Sequence, residues 1–232
     1  MEEKNYNRRY EKDYNIFRTI FYKFFVVLVV DTHAKLYYNF KVEGRENVPK
    51  DSHCIFAGNH VSYLDPPLIA SAVRKTIAYM AKKELFEDQN KVLRFLVKRL
   101  GAFAVNREKP ELATFKTVKS VFNTNWSLGI FPQGKIVHEH KLENIQKGFA
   151  VIAQKSKADI VPVAVVGFDG YAKKIGEKNI TVKIGKPISH KLPADEILYQ
   201  WACQISELAG YENLIPKPNN QTNEQENQTI DV

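Results

Sequence analysis

The stretch CIFAGNHVSYLDPPLIASAV, Cys54 to Val73, decides how this chain is read. It opens on an apolar run without alternation, CIFAGN, the mark of a strand covered on both faces. It closes on DPPLIASAV, which reads as a helix: Asp65 is a good N-cap and Pro66 suits the first helical position. Between them lies a polar turn holding His60. In an open α/β sheet, ligands bind beyond the carboxyl ends of the strands, and the pattern places His60 there. Five residues of turn suffice to fold the Asp65 carboxylate back onto an imidazole nitrogen. A carboxylate in that position fixes the tautomer and orientation of the ring and steadies the imidazolium, leaving the other nitrogen to act as general base. The plainer reading makes Asp65 a helix cap and His60 a polar turn residue, and H-x4-D alone does not separate the two.

Outward from this unit, strand and helix signals alternate. LYYNFKVEG reads as a strand ending at Gly44, TIAYMAK and AFAVNR as strands, and NKVLRFLVKRL and ELATFKTVKSVFN as helices. SLGIFP, IVPVAVVG and ITVKIG follow as strands, with the helix QKGFAVIAQKSK among them, and PADEILYQWACQISELAG is a long amphipathic helix stopped by Gly210. The alternation predicts a single α/β domain with a central, mostly parallel or mixed sheet flanked by helices. No Gly-rich phosphate loop of the Walker or dinucleotide type is present. The polar end from Ile215 to Val232 has no hydrophobic period and is expected to be a disordered tail.

The chain has 232 residues, 44% of them hydrophobic and 12% aromatic, enough for one substantial core. Its formal charge of +8 favours anionic partners. Nucleic acid is not expected, because no recognisable RNA or DNA motif accompanies the charge. Cys54 and Cys203 lie far apart without metal-type spacing; a reducing setting and a packing role for Cys54 follow. His138 and His140 flank Glu139 in a loop, but an i, i+2 pair without a third ligand does not make a metal site, and none is expected.

The run Ile16 to Val30 is aromatic and apolar, interrupted by Arg18 and Lys23. Its uncharged part is too short to span a bilayer, which takes about 20 apolar residues. Phe17, Ile20, Phe21, Phe24, Phe25 and Leu28 recur at helical spacing. The segment is read either as an interfacial helix with its cations snorkelling or as a helix packed on the domain's own core. From Lys91 to Lys119 eight basic residues stand against two acidic ones, a second feature suited to an anionic leaflet.

Three further segments open on the same rim as His60. GAFAVNR places Arg107 after one strand, FPQGKI follows another with Gly134 permitting a tight turn, and IVPVAVVG is a third. The order NHVSYLD (Asn59 to Asp65), GAFAVNR (Gly101 to Arg107), FPQGKI (Phe131 to Ile136) and IVPVAVVG (Ile160 to Gly167) resembles the glycerolipid acyltransferases typified by lysophosphatidic acid (1-acylglycerol-3-phosphate) acyltransferase. AKKELF, Ala81 to Phe86, fits between the first two blocks, and the likeness runs from about Phe40 to Gly185. The third block departs from the family pattern F-P-E-G-T-R: Gln133 stands for Glu, Lys135 for Thr and Ile136 for Arg. That arginine is associated in the family with the acceptor's phosphate, and Ile136 offers neither charge nor hydrogen bond.

The resemblance implies transfer of a fatty acyl group from acyl-CoA or acyl carrier protein to the hydroxyl of a lysophospholipid, lysophosphatidic acid first, in phospholipid synthesis. His60 would be the base and Asp65 its orienting partner. Arg107, Gln133, Gly134 and Lys135 would form the substrate-binding set, with backbone N–H groups near Gly134 holding the oxyanion. No metal or other cofactor is implied beyond the acyl thioester co-substrate. The expected organisation is a membrane-associating helical segment over 1–35, an acyltransferase domain over 36–214 and a disordered tail over 215–232. The expected location is the cytoplasmic face of the membrane, peripheral or monotopic. The alternatives are an acyltransferase for another lyso-lipid, such as a lyso-ornithine lipid, and a catalytically silent lipid-binding protein of the same fold.

Overall fold

The computed structural model describes residues 8–50, 53–87, 90–105 and 112–218. Seven strands form one sheet. In chain order they are β1 (Lys41–Glu43), β2 (Cys54–Gly58), β3 (Ile77–Ala81), β4 (Phe103–Ala104), β5 (Ser127–Ile130), β7 (Asp159–Val166) and β8 (Thr181–Ile184). Their spatial order is β1-β8-β7-β2-β5-β3-β4, and every pairing is parallel except β7 with β8. Two short strands, β6 (Lys141–Leu142) and β9 (Glu212–Asn213), pair separately in parallel; no sequence signal announced them. The sheet is therefore mostly parallel with one antiparallel member, as the apolar runs predict.

β2 sits centrally, with Ile55 opposite Leu128 of β5 on one side and Ile160 of β7 on the other. All five of its residues are buried, which is why its sequence shows no alternation. The Cys54 thiol lies in this strand, pushed up to about 11 by burial, with Sγ 3.9 Å from Ser127 Oγ.

Helix α1 spans Ile16–Phe24, α2 Thr32–Tyr38, α3 Asp65–Val73, α4 Lys91–Arg99, α5 Leu112–Phe122, α6 Gly148–Ser156 and α7 Ala194–Ala209. The crossovers from β2 to β3 and β3 to β4 run one way along the sheet; those from β4 to β5 and β5 to β7 run the other. Right-handed connections then put α3 and α4 on one face and α5 and α6 on the opposite one. α7 docks beside α6 and fastens to the central strand through Trp201, whose Nε1 donates to the Ala57 carbonyl at 2.9 Å.

The N-terminal run differs from its sequence reading. LYYNFKVEG is not one strand: Leu36 to Tyr38 finish α2, Asn39 reverses the chain at φ 43°, and only Lys41–Glu43 are extended. Aromatic β-propensity misleads here because Tyr38 is buried by tertiary packing within a helix. Between α1 and α2 the chain takes a π-helical course, Phe25–Asp31. It ends at Asp31, which accepts from Ser71 Oγ of α3 at 2.8 Å and pairs with Lys35 at 2.8 Å. Burial works to raise the Asp31 carboxyl, but the bonds from Lys35 and Ser71 outweigh it and hold it below its ordinary value.

The two faces of Ile16 to Val30 differ: one packs on the domain's own core, and the other is open. Tyr14, Tyr22 and Val26 belong to the core, and the Tyr22 hydroxyl accepts the Ile77 N–H at 3.2 Å. Phe17 is 78% exposed, and Ile20, Phe24 and Leu28 are also exposed. Among the described residues no helix is long and apolar enough to cross a bilayer. Of the expected tail, residues 219–232 lie outside the described residues.

Candidate active site

Because β2, β3, β4, β5 and β7 are parallel, their carboxyl ends share one edge. His60 lies just beyond β2 and the Phe131–Val137 loop just beyond β5. The edge is built from the strand ends by specific polar ties. Asn59 is fully buried and reads the end of β7 like another stretch of backbone: its Oδ1 accepts the Val165 N–H at 2.7 Å and its Nδ2 donates to the Val165 carbonyl at 3.0 Å. Nδ2 also reaches the Tyr211 hydroxyl at 3.1 Å, joining the segment after α7 to the turn. Burial raises the Tyr211 hydroxyl above its ordinary range.

His60 Nδ1 and Asp65 Oδ2 are 2.8 Å apart. The same oxygen accepts the Val61 N–H at 2.7 Å and the Ser62 N–H at 2.8 Å. Asp65 thus closes the turn that precedes it. The sequence expectation of an N-cap is corrected in register: Asp65 is the first helical residue, Leu64 stands at the cap without a side-chain bond, and Pro66 and Pro67 complete the first turn. Two prolines lack N–H groups to be capped, so the carboxylate is released to serve the histidine turn. Asp65 is fully buried, and its Oδ1 finds no partner among the described residues.

The imidazole is held from three further directions. Its ring stacks on Phe131 with centroids 4.1 Å apart and planes 18° apart, and Phe131 stacks in turn on Tyr79 at 5.7 Å. Tyr79 reaches that position because β5 carries Gly129 under its ring, where a Cβ would stand 2.3 Å from the Tyr79 edge. Its hydroxyl donates to the Pro66 carbonyl at 2.9 Å and sits well above its ordinary range, through burial first and the charges of Tyr22 and Asp65 after it. The His60 backbone is clipped at both ends to the β5 loop: its N–H donates to Gln133 Oε1 at 2.8 Å and its carbonyl accepts the Val137 N–H at 2.8 Å. The ring remains 14% exposed, and no described residue bonds its Nε2. One nitrogen is fixed by a carboxylate and the other faces the open edge.

Gly134 adopts φ 70° and donates its own N–H to the Phe131 carbonyl at 2.9 Å, closing a tight turn. The next two N–H groups, of Lys135 and Ile136, have no acceptor among the described residues. The Lys135 side chain is exposed. The structure thus brings together His60, Asp65, Gln133, Gly134 and the root of Lys135. Arg107 lies outside the described residues. Sequence reasoning missed Asn59, Phe131 and Val137. Asn59 stood in the quoted block and Phe131 in the third, but their partners are distant in sequence and no local spacing encodes them. Near the HEH stretch, His140 stacks on Tyr211 at 5.2 Å.

A sequence model described as Acyltransferase matches residues 39–166, and the chain belongs to that family. The 1-acyl-sn-glycerol-3-phosphate acyltransferase of Bacillus subtilis is 34% identical over 149 residues, covering 64% of this chain and 73% of that protein. The enzyme of the same name from Streptococcus pneumoniae is 29% identical over 172 residues, covering 73% of this chain and 63% of its own length. The solved structure of a 1-acyl-sn-glycerophosphate acyltransferase from Thermotoga maritima superposes with a TM-score of 0.62 at 22% identity, covering 82% of this chain and 80% of the other, and shares the fold.

Proposed function

We propose that the protein transfers a fatty acyl group from an acyl thioester to the free hydroxyl of a lysophospholipid, with 1-acylglycerol-3-phosphate as acceptor, at the surface of a membrane. The observation that carries this reading is the His60–Asp65 pair with Nε2 left towards solvent. The acceptor hydroxyl gives its proton to Nε2 as its oxygen bonds to the thioester carbon. The tetrahedral oxyanion collapses, the C–S bond breaks, and the imidazolium returns the proton to the departing thiolate. No nucleophilic Ser or Cys is needed, because the thioester is already activated. Asp65 steadies the imidazolium, a role that its bond to Nδ1 suits.

Gln133 supports the reading as a positioning residue: the amide oxygen that stands where the family has a carboxylate accepts the His60 N–H. Either acceptor serves that bond, so the departure from Glu leaves the base in place. The oxyanion falls to the N–H groups of Lys135 and Ile136, since Gly134 uses its own in the turn; one good donor of this kind is worth about 3–4 kcal/mol. The acceptor's phosphate would take Lys135 and Arg107. The names of the relatives favour the glycerol phosphate acceptor; Ile136 in place of the family's arginine favours a lyso-lipid without a terminal phosphate.

The test is direct. Purified protein is incubated with acyl-CoA or acyl carrier protein thioesters and a panel of lyso-lipids, and thiol release is measured beside acylated lipid. Thiol release that requires 1-acylglycerol-3-phosphate is expected. Preference for a lyso-lipid lacking the phosphate monoester moves the acceptor to the second reading, and absence of transfer to every acceptor overturns the enzymatic one.

A further inference from the structure

A second cationic site lies away from His60. The carboxyl end of α4 leads through Gly101 to the amino end of β4, and so to the side of the sheet opposite the catalytic edge. There the segment before α1 meets α4 around a crevice of about 250 Å³ lined by Arg9, Arg18, Phe95, Lys98 and Arg99. The crevice has a structural use. Arg18 donates to the Lys98 carbonyl at 2.7 Å, and Arg9 to the Ala102 carbonyl at 3.2 Å. Cations at a helix carboxyl end satisfy its last carbonyls and its dipole.

Magnitudes decide that this use is not sufficient. A helix end carries about half a negative charge, whereas Arg9, Arg18 and Arg99 bring three positive ones. None of the three lies in a salt bridge with a described carboxylate; Asp13 acts on Arg18 from a distance. Arg9 Nε is buried without a partner, and Arg18 is depressed by burial first and by the charge of Arg9 next. A group of either negative charge or paired acceptors would relieve both. Around the crevice the surface is apolar: Phe95 is 55% exposed, meets Phe21 edge-on, and continues into the exposed Phe17, Ile20 and Phe24 of α1. Arg99 lies over the Phe21 ring at 5.5 Å, at the border of the two surfaces.

We infer that this crevice binds the phosphate group of an anionic phospholipid headgroup, a site separate from the acceptor site that seats α1 and α4 on the bilayer. Guanidinium forks match phosphate oxygens in pairs, and the adjoining aromatic face suits the acyl boundary of the same lipid. The inference rests on the membrane-surface part of the proposed function.

The experiment uses the full chain and flotation with two kinds of vesicle: phosphatidylcholine alone, and phosphatidylcholine with a minority of phosphatidylglycerol. The double variant Arg18→Lys, Arg99→Lys keeps the net charge, so bulk attraction to the anionic vesicle is unchanged while the forks are lost. The expected result is that its preference for the anionic vesicle falls about tenfold, the size of a lost charged hydrogen-bond contact, with binding to phosphatidylcholine unaltered. An unchanged preference overturns the site. If wild-type protein binds neither vesicle, the membrane reading itself fails, which is a different result. Inorganic phosphate supplies the second arm: stabilisation of the wild type by phosphate, lost in the variant while vesicle preference stays the same, assigns the site to a free anion and overturns the lipid assignment. Should the double variant unfold, Arg99→Lys alone repeats the test, since Arg99 is exposed and spends no donor on the α4 carbonyls.

Discussion

The turn that carries His60 and the N-terminal helical segment are both tied to the sheet, but by opposite means. The turn is held by directed polar bonds at nearly every atom: Asp65 takes three N–H donors, Gln133 and Val137 clip the His60 backbone, and Asn59 grips the end of β7. The N-terminal segment is seated on one apolar face, through Tyr14, Tyr22 and Val26, with scattered polar ties along it, from Arg9 and Arg18 at its start to Asp31 at the end of its π-helical turn. Its other face is left open. Directed bonds fix one geometry, whereas apolar burial fixes a face and leaves the rest of the surface available. The first suits a proton transfer, and the second suits an approach to a lipid surface.

Breaking the turn at its centre has the largest effect. His60→Ala is expected to lower the turnover number by about a thousandfold, within the range for loss of a general base. The variant stays folded by circular dichroism, because the ring is partly exposed and stacks only on Phe131. A folded variant with near-normal turnover removes His60 from the mechanism. Asp65→Asn comes next. It is expected to lower turnover about a hundredfold or more, and also to lower stability by about 1–3 kcal/mol, as three donors lose a charged acceptor. A stable, active Asp65→Asn protein would return the residue to a purely structural role. Activity against pH and a urea titration, run on the same sample, separate the two losses.

Gln133 tests whether the backbone clips matter apart from the pair they hold. Gln133→Ala frees the His60 N–H and is expected to reduce turnover about tenfold, the size of one lost hydrogen bond placing a base. The Michaelis constants for thioester and acceptor should change little. Gln133→Glu retains an acceptor at that position and should recover most of the loss. If Glu does no better than Ala, the bond does not position the base.

Much of this contrast was legible in the sequence, and the division follows from physics. Buried parallel strands advertise themselves as unbroken apolar runs, so β2, β5 and β7 were readable as strands, and with them the edge on which His60 lies. The His60–Asp65 contact spans five residues and was readable as a local turn. The bonds from Asn59 to Val165 and from Gln133 to His60 span 106 and 73 residues; they depend on strand order, which no local pattern encodes. The helix over Thr32–Tyr38 was hidden for a related reason, since tertiary burial of Tyr38 overrode the strand-like composition around it.

The N-terminal segment sharpens the comparison from its open side. Removing residues 1–30 is the blunt test, but it also strips Tyr14, Tyr22 and Val26 from the core, so lost vesicle binding would mean little. Phe17→Ser with Phe24→Ser alters only the exposed face. Binding to vesicles by sedimentation is expected to fall about tenfold or more, from apolar area withdrawn from the interface at roughly 25 cal/mol per Å². The melting temperature should be unchanged. Equal binding by the variant would leave the exposed aromatics without a membrane role.

The smallest expected effect lies at the border between fastened and open surface within a single loop. Gln133 and Val137 are bonded to His60, while the Lys135 side chain between them is exposed. Since Ile136 removes the family's arginine, Lys135 is the cation of this loop nearest the turn. An exposed contact is screened by water and is worth about 0.2–1 kcal/mol, so Lys135→Ala should lower kcat/KM for 1-acylglycerol-3-phosphate by about 1.4- to fivefold. The constant for a zwitterionic lyso-lipid should not move, because a charge contact is lost only where it was made. The informative quantity is therefore the ratio of the two specificity constants before and after substitution. A changed ratio places Lys135 on the acceptor's phosphate. An unchanged ratio removes it from the site and leaves Arg107 to carry the headgroup charge alone, which Arg107→Gln, assayed in the same way, would then reveal as the larger loss.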